Sequence, residues 1–159
     1  MKDRITYRDY FEIPVVPRAW ARTGGRGTQR FETKDQRAAK RTLEALLLEH
    51  RPPRILTGPI ILGVKAFFPI PPGWPQWKQW AAREGLWHHA TVPDLSNIIK
   101  LVEDVMKGTF FVDDRQVFRY EPVPEGGYSV MPRWEISIIE VALPTCEEVV
   151  ALRKEKEAA

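Results

Sequence analysis

The sequence has little of the chemistry that most often reveals what a small protein does. Its 159 residues include one cysteine, Cys146, which excludes a disulfide framework and a cysteine-based zinc site. We find no apolar run of membrane-spanning length, no signal-peptide pattern, no phosphate-binding glycine loop and no Ser/His/Asp order typical of acyl transfer. These absences predict a cytoplasmic protein with no membrane partner.

What remains predicts one ordinary domain. The length suffices for a core without disulfides, and an aromatic content of 11% argues against disorder. The predicted order β–α–β–α–α–β–β–α indicates an α+β fold, a single domain with a small mixed sheet packed by helices. We expect the domain to span residues 1–143 and a helical tail to span 144–159. The strands in this order are 10–16, 60–70, 116–120 and 130–141, with a further short strand at 109–112. The helices are 34–50, a short helix around Trp77 and Trp80, 96–107 and 145–157.

The stretch 93–117 contains a helix with one apolar and one polar face. At about 100° per residue, residues 96–107 separate into an apolar side and a polar arc of about 120°. Asp94 stands where a carboxylate caps free N–H groups, and Gly108 stands where a left-handed residue ends a helix. The apolar side chains are Ile98, Leu101, Val102, Val105 and Met106, and the polar ones are Ser96, Asn97, Lys100, Glu103, Asp104 and Lys107.

Two adjacent acids, Asp113 and Asp114, directly follow the predicted strand 109–112. Adjacent carboxylates repel each other unless a cation or solvent screens them. Together with Asp94 and Lys100 of the helix, they give the set of residues typical of a divalent-metal phosphodiester site. The plainer interpretation, a helix cap beside a solvated polar face, remains open at this point.

Over residues 93–117 the sequence resembles the RusA-type Holliday-junction resolvases, small nucleases associated with phages and prophages. The resemblance is carried by P-D-x-x-N-x-x-K, an Asp four residues later, a Gly, a short hydrophobic run and D-D-x-Q-V, and it extends more weakly over 11–141. It implies a RusA-like fold, a homodimer and Mg²⁺, with Mn²⁺ as the other candidate cofactor. The residues it implies are Asp94, Asp113 and Asp114 as metal ligands and Lys100 as the essential lysine.

The sequence departs from the family pattern at Ser96, where a second acid is usual. A serine hydroxyl is a poorer ligand than a carboxylate for Mg²⁺, so the site is either weakened or completed by another acid. Glu103 lies seven residues later on the same helical face and is the candidate replacement. Because the other acids and Lys100 are retained, we favour replacement over inactivation.

A basic region precedes this stretch. Residues 18–30 contain four arginines, three glycines and no acid, a composition suited to a flexible loop whose guanidiniums meet phosphate oxygens. The helix 34–50 begins with further cations, which its dipole disfavours there. We expect DNA contact here, and a solvated surface is the alternative. The predicted DNA-binding residues are Arg18, Arg22, Arg26, Arg30, Lys34 and Arg37.

Four tryptophans lie between the central strand and the motif. On a short helix Trp77 and Trp80 share one face, and we expect them to pack in the core. A stacking surface for unpaired bases is the alternative. His88 and His89 point apart on regular backbone, so we expect them to line the route into the site rather than to hold a metal. The tryptophans are Trp74, Trp77, Trp80 and Trp87.

These patterns and the resemblance predict a metal-dependent, structure-selective endodeoxyribonuclease that resolves four-way DNA junctions in recombination or repair. The predicted partner is branched DNA, bound by a homodimer because a junction offers two symmetry-related strands. Two alternatives are a junction-binding protein without catalysis and a nuclease for other branched DNA, such as flaps or forks.

Overall fold

The computed structural model describes residues 4–17, 34–91 and 93–158. It confirms an α+β domain with a mixed sheet. The strands are β1 (Ile5–Ile13), β2 (Ile60–Pro69), β3 (Val117–Tyr120), β4 (Glu125–Ser129) and β5 (Arg133–Val141), and the helices are α1 (Lys34–Leu48), α2 (Gln76–Arg83), α3 (Leu95–Met106) and α4 (Cys146–Glu157). A single 3₁₀ turn, Asp114–Gln116, precedes β3.

β2 is the strand around which the sheet is built. β5 lies antiparallel along one side of it, and β1 lies antiparallel to β5. On its other side β2 pairs in parallel first with β3 and then with β4, each along a different half of the strand. The first five residues of β2 are all buried, so both faces of the strand are covered there. A strand covered on both faces carries a near-continuous apolar sequence.

α3 packs its apolar face into the core beside the sheet and α1. Its five predicted apolar side chains are all buried. Asp94 is the N-cap, as predicted, and accepts a hydrogen bond from the Asn97 backbone N–H at 2.9 Å. The predicted left-handed stop is also confirmed, because Gly108 has a φ of 78°, a conformation that strains residues with a Cβ.

Three local predictions are wrong. Residues 109–112 form a turn with isolated bridges rather than a strand, and their apolar character comes from the buried rings of Phe110 and Phe111. β4 occupies a segment where the sequence predicts no strand, because Gly126 and Gly127 lower its strand propensity. Trp77 and Trp80 do not pack in the core: they are 62% and 55% exposed.

The ends of the elements also differ from the prediction. β1 begins at Ile5 rather than at residue 10, and β5 begins at Arg133 rather than at residue 130. None of the residues of α4 is buried, and Arg4 binds its first turn through Glu148 at 2.7 Å. The division of the chain at residue 143 stays a prediction.

Glu140 is the charged residue that the described part of the chain buries, with 3% of its surface exposed. Its carboxylate accepts hydrogen bonds from Arg54 Nη2 at 2.5 Å and from the Thr6 hydroxyl at 2.7 Å. The backbone N–H groups of Thr57 and Gly58 donate at 2.9 Å each. Arg54 above all lowers the pKa of Glu140 to about 2. This carboxylate ties β5 to β1 and to the segment that leads into β2.

The lowered pKa predicts a stability that depends on acid. Glu140 stabilises the fold fully above its unfolded pKa of 4.5, and this contribution is lost as the pH falls through the folded value of about 2. We expect Glu140→Gln to lower the free energy of unfolding at pH 7 by about 3 kcal/mol. Urea titrations of wild type and Glu140→Gln from pH 7 to pH 2 measure the free energy of unfolding of each. Glu148→Gln, which removes the exposed partner of Arg4, is the control and should cost under about 1 kcal/mol. Wild type and Glu140→Gln losing stability in parallel below pH 4.5 would contradict the assignment.

Candidate active site

The N-terminal end of α3 holds Asp94 in a network of short hydrogen bonds. Besides the Asn97 backbone N–H, the Asn97 side-chain amide and the Ser96 hydroxyl donate to its carboxylate, each at 2.9 Å. Ser96 therefore binds the neighbouring acid instead of offering a charge of its own. Asp94 also lines a cavity of about 440 Å³ together with His89, Thr91 and other residues of the preceding segment. His89 thus lies beside Asp94, as expected from the sequence.

The other end of α3 faces the Asp113–Asp114 pair. Lys107 Nζ lies 2.7 Å from Asp113 Oδ2 and 3.2 Å from Asp114 Oδ1. Arg115 Nε lies 2.7 Å from the second oxygen of Asp113. Lys107 first, and then Arg115, hold the pKa of Asp113 well below its usual range, and the pair in turn raises the pKa of Lys107. The expected screening of the two acids by a cation is thus supplied by a lysine.

Gln116 attaches this acidic pair to the sheet. Its side-chain oxygen accepts a hydrogen bond from the Asp113 backbone N–H at 2.8 Å. Its side-chain nitrogen donates to the carbonyl oxygens of Leu56 at 3.1 Å and Gly58 at 2.8 Å. Both carbonyls belong to the segment that leads into β2. The Q of the D-D-x-Q-V motif therefore sets the position of the first Asp.

Glu103 and Lys100 occupy the middle of the polar face of α3. Glu103 accepts a hydrogen bond from the Tyr120 hydroxyl at the end of β3. Burial, this hydrogen bond and the charges of Glu103 and Asp114 raise the pKa of Tyr120. Glu103 and Asp114 are therefore close enough for both charges to act on one phenol. Lys100 Nζ lies 3.8 Å from the Asp104 carboxylate.

α3 separates the acids into two groups. Asp94 and Lys107 cap opposite ends of the helix, about 20 Å apart at a rise of 1.5 Å per residue. Among the residues that the structure describes, no three His, Cys, Asp or Glu side chains are placed to hold one metal ion. The donors fit a divalent metal in type, because carboxylate oxygens suit Mg²⁺ and the acidic pair already binds a cation. The ligand set Asp94, Glu103, Asp113 and Asp114 stays a prediction.

Sequence reasoning missed two residues of this site. Lys107 was placed on the polar face of the helix by its periodicity, but a lysine gives no sign that it will bind acids seven residues further on. Tyr120 carries no motif at all, and its contact with Glu103 depends on how β3 lies beside α3. Charge balance was the available signal, because two adjacent acids favour a nearby cation.

The predicted DNA-binding residues mostly lie outside the described part of the chain. The residues outside it are Arg18, Arg22, Arg26 and Arg30, and the side chain of Lys34 is not described either. Arg37 is exposed on α1, which packs against α3. The described helices include none that is long and apolar enough to cross a membrane. DNA binding by the basic region stays a prediction.

Comparison with known proteins assigns the chain to a family. The family model of endodeoxyribonuclease RusA matches residues 12–139, which include α3, the acidic pair and the sheet apart from most of β1 and the last two residues of β5. The uncharacterized protein YqaN of Bacillus subtilis (strain 168) is 35% identical over 96 residues. That match covers 59% of this chain and 66% of YqaN, just under two thirds of its length. Because the family model matches well over half of the chain, the chain belongs to the endodeoxyribonuclease RusA family.

Proposed function

We propose that this protein is a metal-dependent, structure-selective endodeoxyribonuclease that resolves four-way (Holliday) DNA junctions in recombination or repair, in a cell of bacterial or phage-infected origin. The observation that carries the proposal is the Asp113–Asp114 pair, whose two carboxyl groups bind a cation, Lys107, at the surface of a RusA-family chain. A site that holds Lys107 with two carboxylates has the charge that a divalent cation requires.

The proposed metal ligands are Asp94, Asp113, Asp114 and Glu103. A bound Mg²⁺ or Mn²⁺ would offset charge on the scissile phosphate and lower the pKa of a water molecule. Lys100, more than half exposed, would donate to a phosphate oxygen and stabilise the charge that develops there. The arginines of residues 18–30 and Arg37 would bind the DNA backbone, in pairs of hydrogen bonds to phosphate oxygens.

A homodimer accounts for symmetric cutting. A two-fold axis places one copy of every residue on each of two equivalent strands, which matches the symmetry of a four-way junction. It also supplies a second copy of each acidic group, which α3 keeps apart within one chain.

A second candidate function is junction binding without cleavage. It is favoured by Ser96, whose hydroxyl is engaged by Asp94 at 2.9 Å and adds no charge to the site. Cleavage of other branched DNA is a third candidate. Metal dependence separates the first two, because a binding protein holds junctions equally well with and without Mg²⁺.

We expect paired, symmetric nicks in a labelled four-way junction with Mg²⁺ or Mn²⁺ and none with EDTA. Asp114→Asn should bind the junction but cut it below detection, because it removes one carboxylate of the proposed metal site. Asp9→Asn, the same change on β1, is the matched control and should cut normally. Binding without cuts under every metal condition would leave the non-catalytic function. Flaps and forks, cut in parallel, test the third candidate.

Glu103→Gln tests the replacement of the missing acid. If Glu103 binds the metal, the amide should reduce metal-dependent cleavage at least about tenfold, the lower end of the loss seen when a group that supports a metal ligand is removed. Tyr120→Phe removes the hydrogen bond to Glu103 but keeps the carboxylate, and it should retain cleavage. Undiminished cleavage by Glu103→Gln would remove Glu103 from the ligand set.

Lys107→Met tests whether the acidic pair is a cation site. The ammonium lies between the carboxylates, so its removal should tighten Mn²⁺ binding several-fold in a calorimetric titration, because the metal no longer displaces a bound cation. Lys100→Met, the same change near Asp104, should leave Mn²⁺ affinity unchanged. Weaker Mn²⁺ binding by Lys107→Met would show that the lysine organises the pair instead of competing for it.

A further inference from the structure

Aromatic rings form a connected row from α2 to the segment before α3. Trp77 packs edge-on against Trp87 at 5.8 Å between ring centroids, and Trp87 packs edge-on against Trp74 at 6.3 Å. Trp74 contacts Tyr128 of β4 at 5.0 Å, and Tyr128 contacts His89 at 5.4 Å. We call these residues the aromatic strip: Trp77, Trp87, Trp74, Tyr128 and His89.

The strip leaves much of its aromatic surface in solvent. Trp77 is 62% exposed and Trp87 is 38% exposed, although tryptophan is highly buried on average. The mutual edge-on packing holds the rings at set angles, so they form a surface of fixed shape rather than a set of separate side chains. An exposed, contiguous apolar patch of this kind marks a binding surface.

A cation lies directly on this surface. Lys78 Nζ stands 3.8 Å from the centroid of Trp74 and 4.6 Å from that of Trp87. Because Trp87 also packs edge-on against Trp77, the contact holds a positive charge within the aromatic strip. A strand lying on the aromatic strip would thus have a cation within reach of its phosphates. That combination, aromatic faces with an adjacent cation, is what single-stranded nucleic acid requires.

The strip ends beside Asp94, one of the proposed metal ligands. The His89 ring stacks on Phe68 of β2 at 4.1 Å, and its backbone N–H donates to the Gly126 carbonyl of β4 at 3.3 Å. These contacts fix His89 to the sheet. His89 also lines the cavity of about 440 Å³ that Asp94 lines. A strand lying on the aromatic strip would therefore lead toward the N-terminal end of α3.

We propose that the aromatic strip binds unpaired bases of the DNA substrate, with Trp77 as an exposed stacking face and Lys78 as its phosphate contact. The proposal rests on the proposed nuclease function and adds to it a site for single-stranded DNA, next to Asp94. Opening of the bases at a branch point would be stabilised by this stacking, since every base has a face that an aromatic ring accepts. The lysine favours a nucleic acid over an apolar protein segment as the occupant, because a protein segment offers its ammonium no regular row of anions.

The test is binding of fluorescein-labelled oligothymidine, twelve nucleotides long, by fluorescence anisotropy in EDTA at one fixed salt concentration. Trp77→Ala should weaken binding between about 5-fold and about 150-fold, the range for the loss of one base–aromatic stack. Trp77→Phe should recover most of the affinity. A blunt duplex of the same length should bind wild type and Trp77→Ala equally.

Phe118→Ala is the matched control. Phe118 is 50% exposed on β3, which pairs with the start of β2, whereas Tyr128 pairs with Phe68 near its end, about 20 Å away along the strand. The Phe118→Ala variant should bind oligothymidine with the affinity of wild type. Equal affinity of Trp77→Ala and wild type, or an equal loss in Phe118→Ala, would overturn the proposal. Wild-type protein with no affinity for oligothymidine would overturn it too and leave the strip as a protein-docking face.

The two proposals fail separately. If Trp77 is required for oligothymidine binding but no metal supports junction cleavage, the proposed base-binding role of the aromatic strip is supported and the nuclease function is contradicted. If junctions are cut with metal while Trp77→Ala binds oligothymidine normally, the nuclease function is supported and the base-binding role of the strip is contradicted.

Discussion

Burial of the apolar face of α3 is the interaction on which the site depends. Ile98, Val102 and Met106 are completely buried, and each contributes about 1.5–3 kcal/mol relative to an exposed position. This sets the rotation of the helix about its axis. Rotation of α3 about its axis by 100°, the angle between successive residues, would carry charged side chains toward the core at a cost of several kcal/mol. The polar face and both capped ends therefore face outward as a consequence of packing alone.

The electrostatics of the acidic pair follow from where it lies. In a dry pocket, two adjacent carboxylates would share a proton, since desolvation and mutual repulsion both raise the pKa. Here solvent, Lys107 and Arg115 keep Asp113 ionised. Asp113 thus keeps its charge beside Lys107, and the pair forms a cation-binding surface. Which cation occupies it is decided by charge and by what else approaches, a single ammonium or a divalent ion accompanied by phosphate.

The sequence predicted what depends on local pattern and missed what depends on tertiary contact. The helix α3, its Asp94 cap and its Gly108 stop follow from periodicity and from the chemistry of single residues. The turn before Asp113 looked like a strand because packing, not pairing, buries Phe111. The exposure of Trp77 ran against the ordinary preference of tryptophan, and composition alone cannot distinguish a core aromatic from a functional one.

Gln116 has a mechanical consequence. Its amide joins the backbone of Asp113 to the carbonyls that lead into β2, whereas Lys107 is the C-cap of α3. The acids therefore move with the sheet and the ammonium moves with the helix. Any sliding of α3 on the sheet, of the kind that packed helices undergo when a ligand binds, changes the distance between them. The distance between Lys107 and the two acids therefore depends on the position of α3, and a ligand that displaces the helix would change the charge that surrounds the acids.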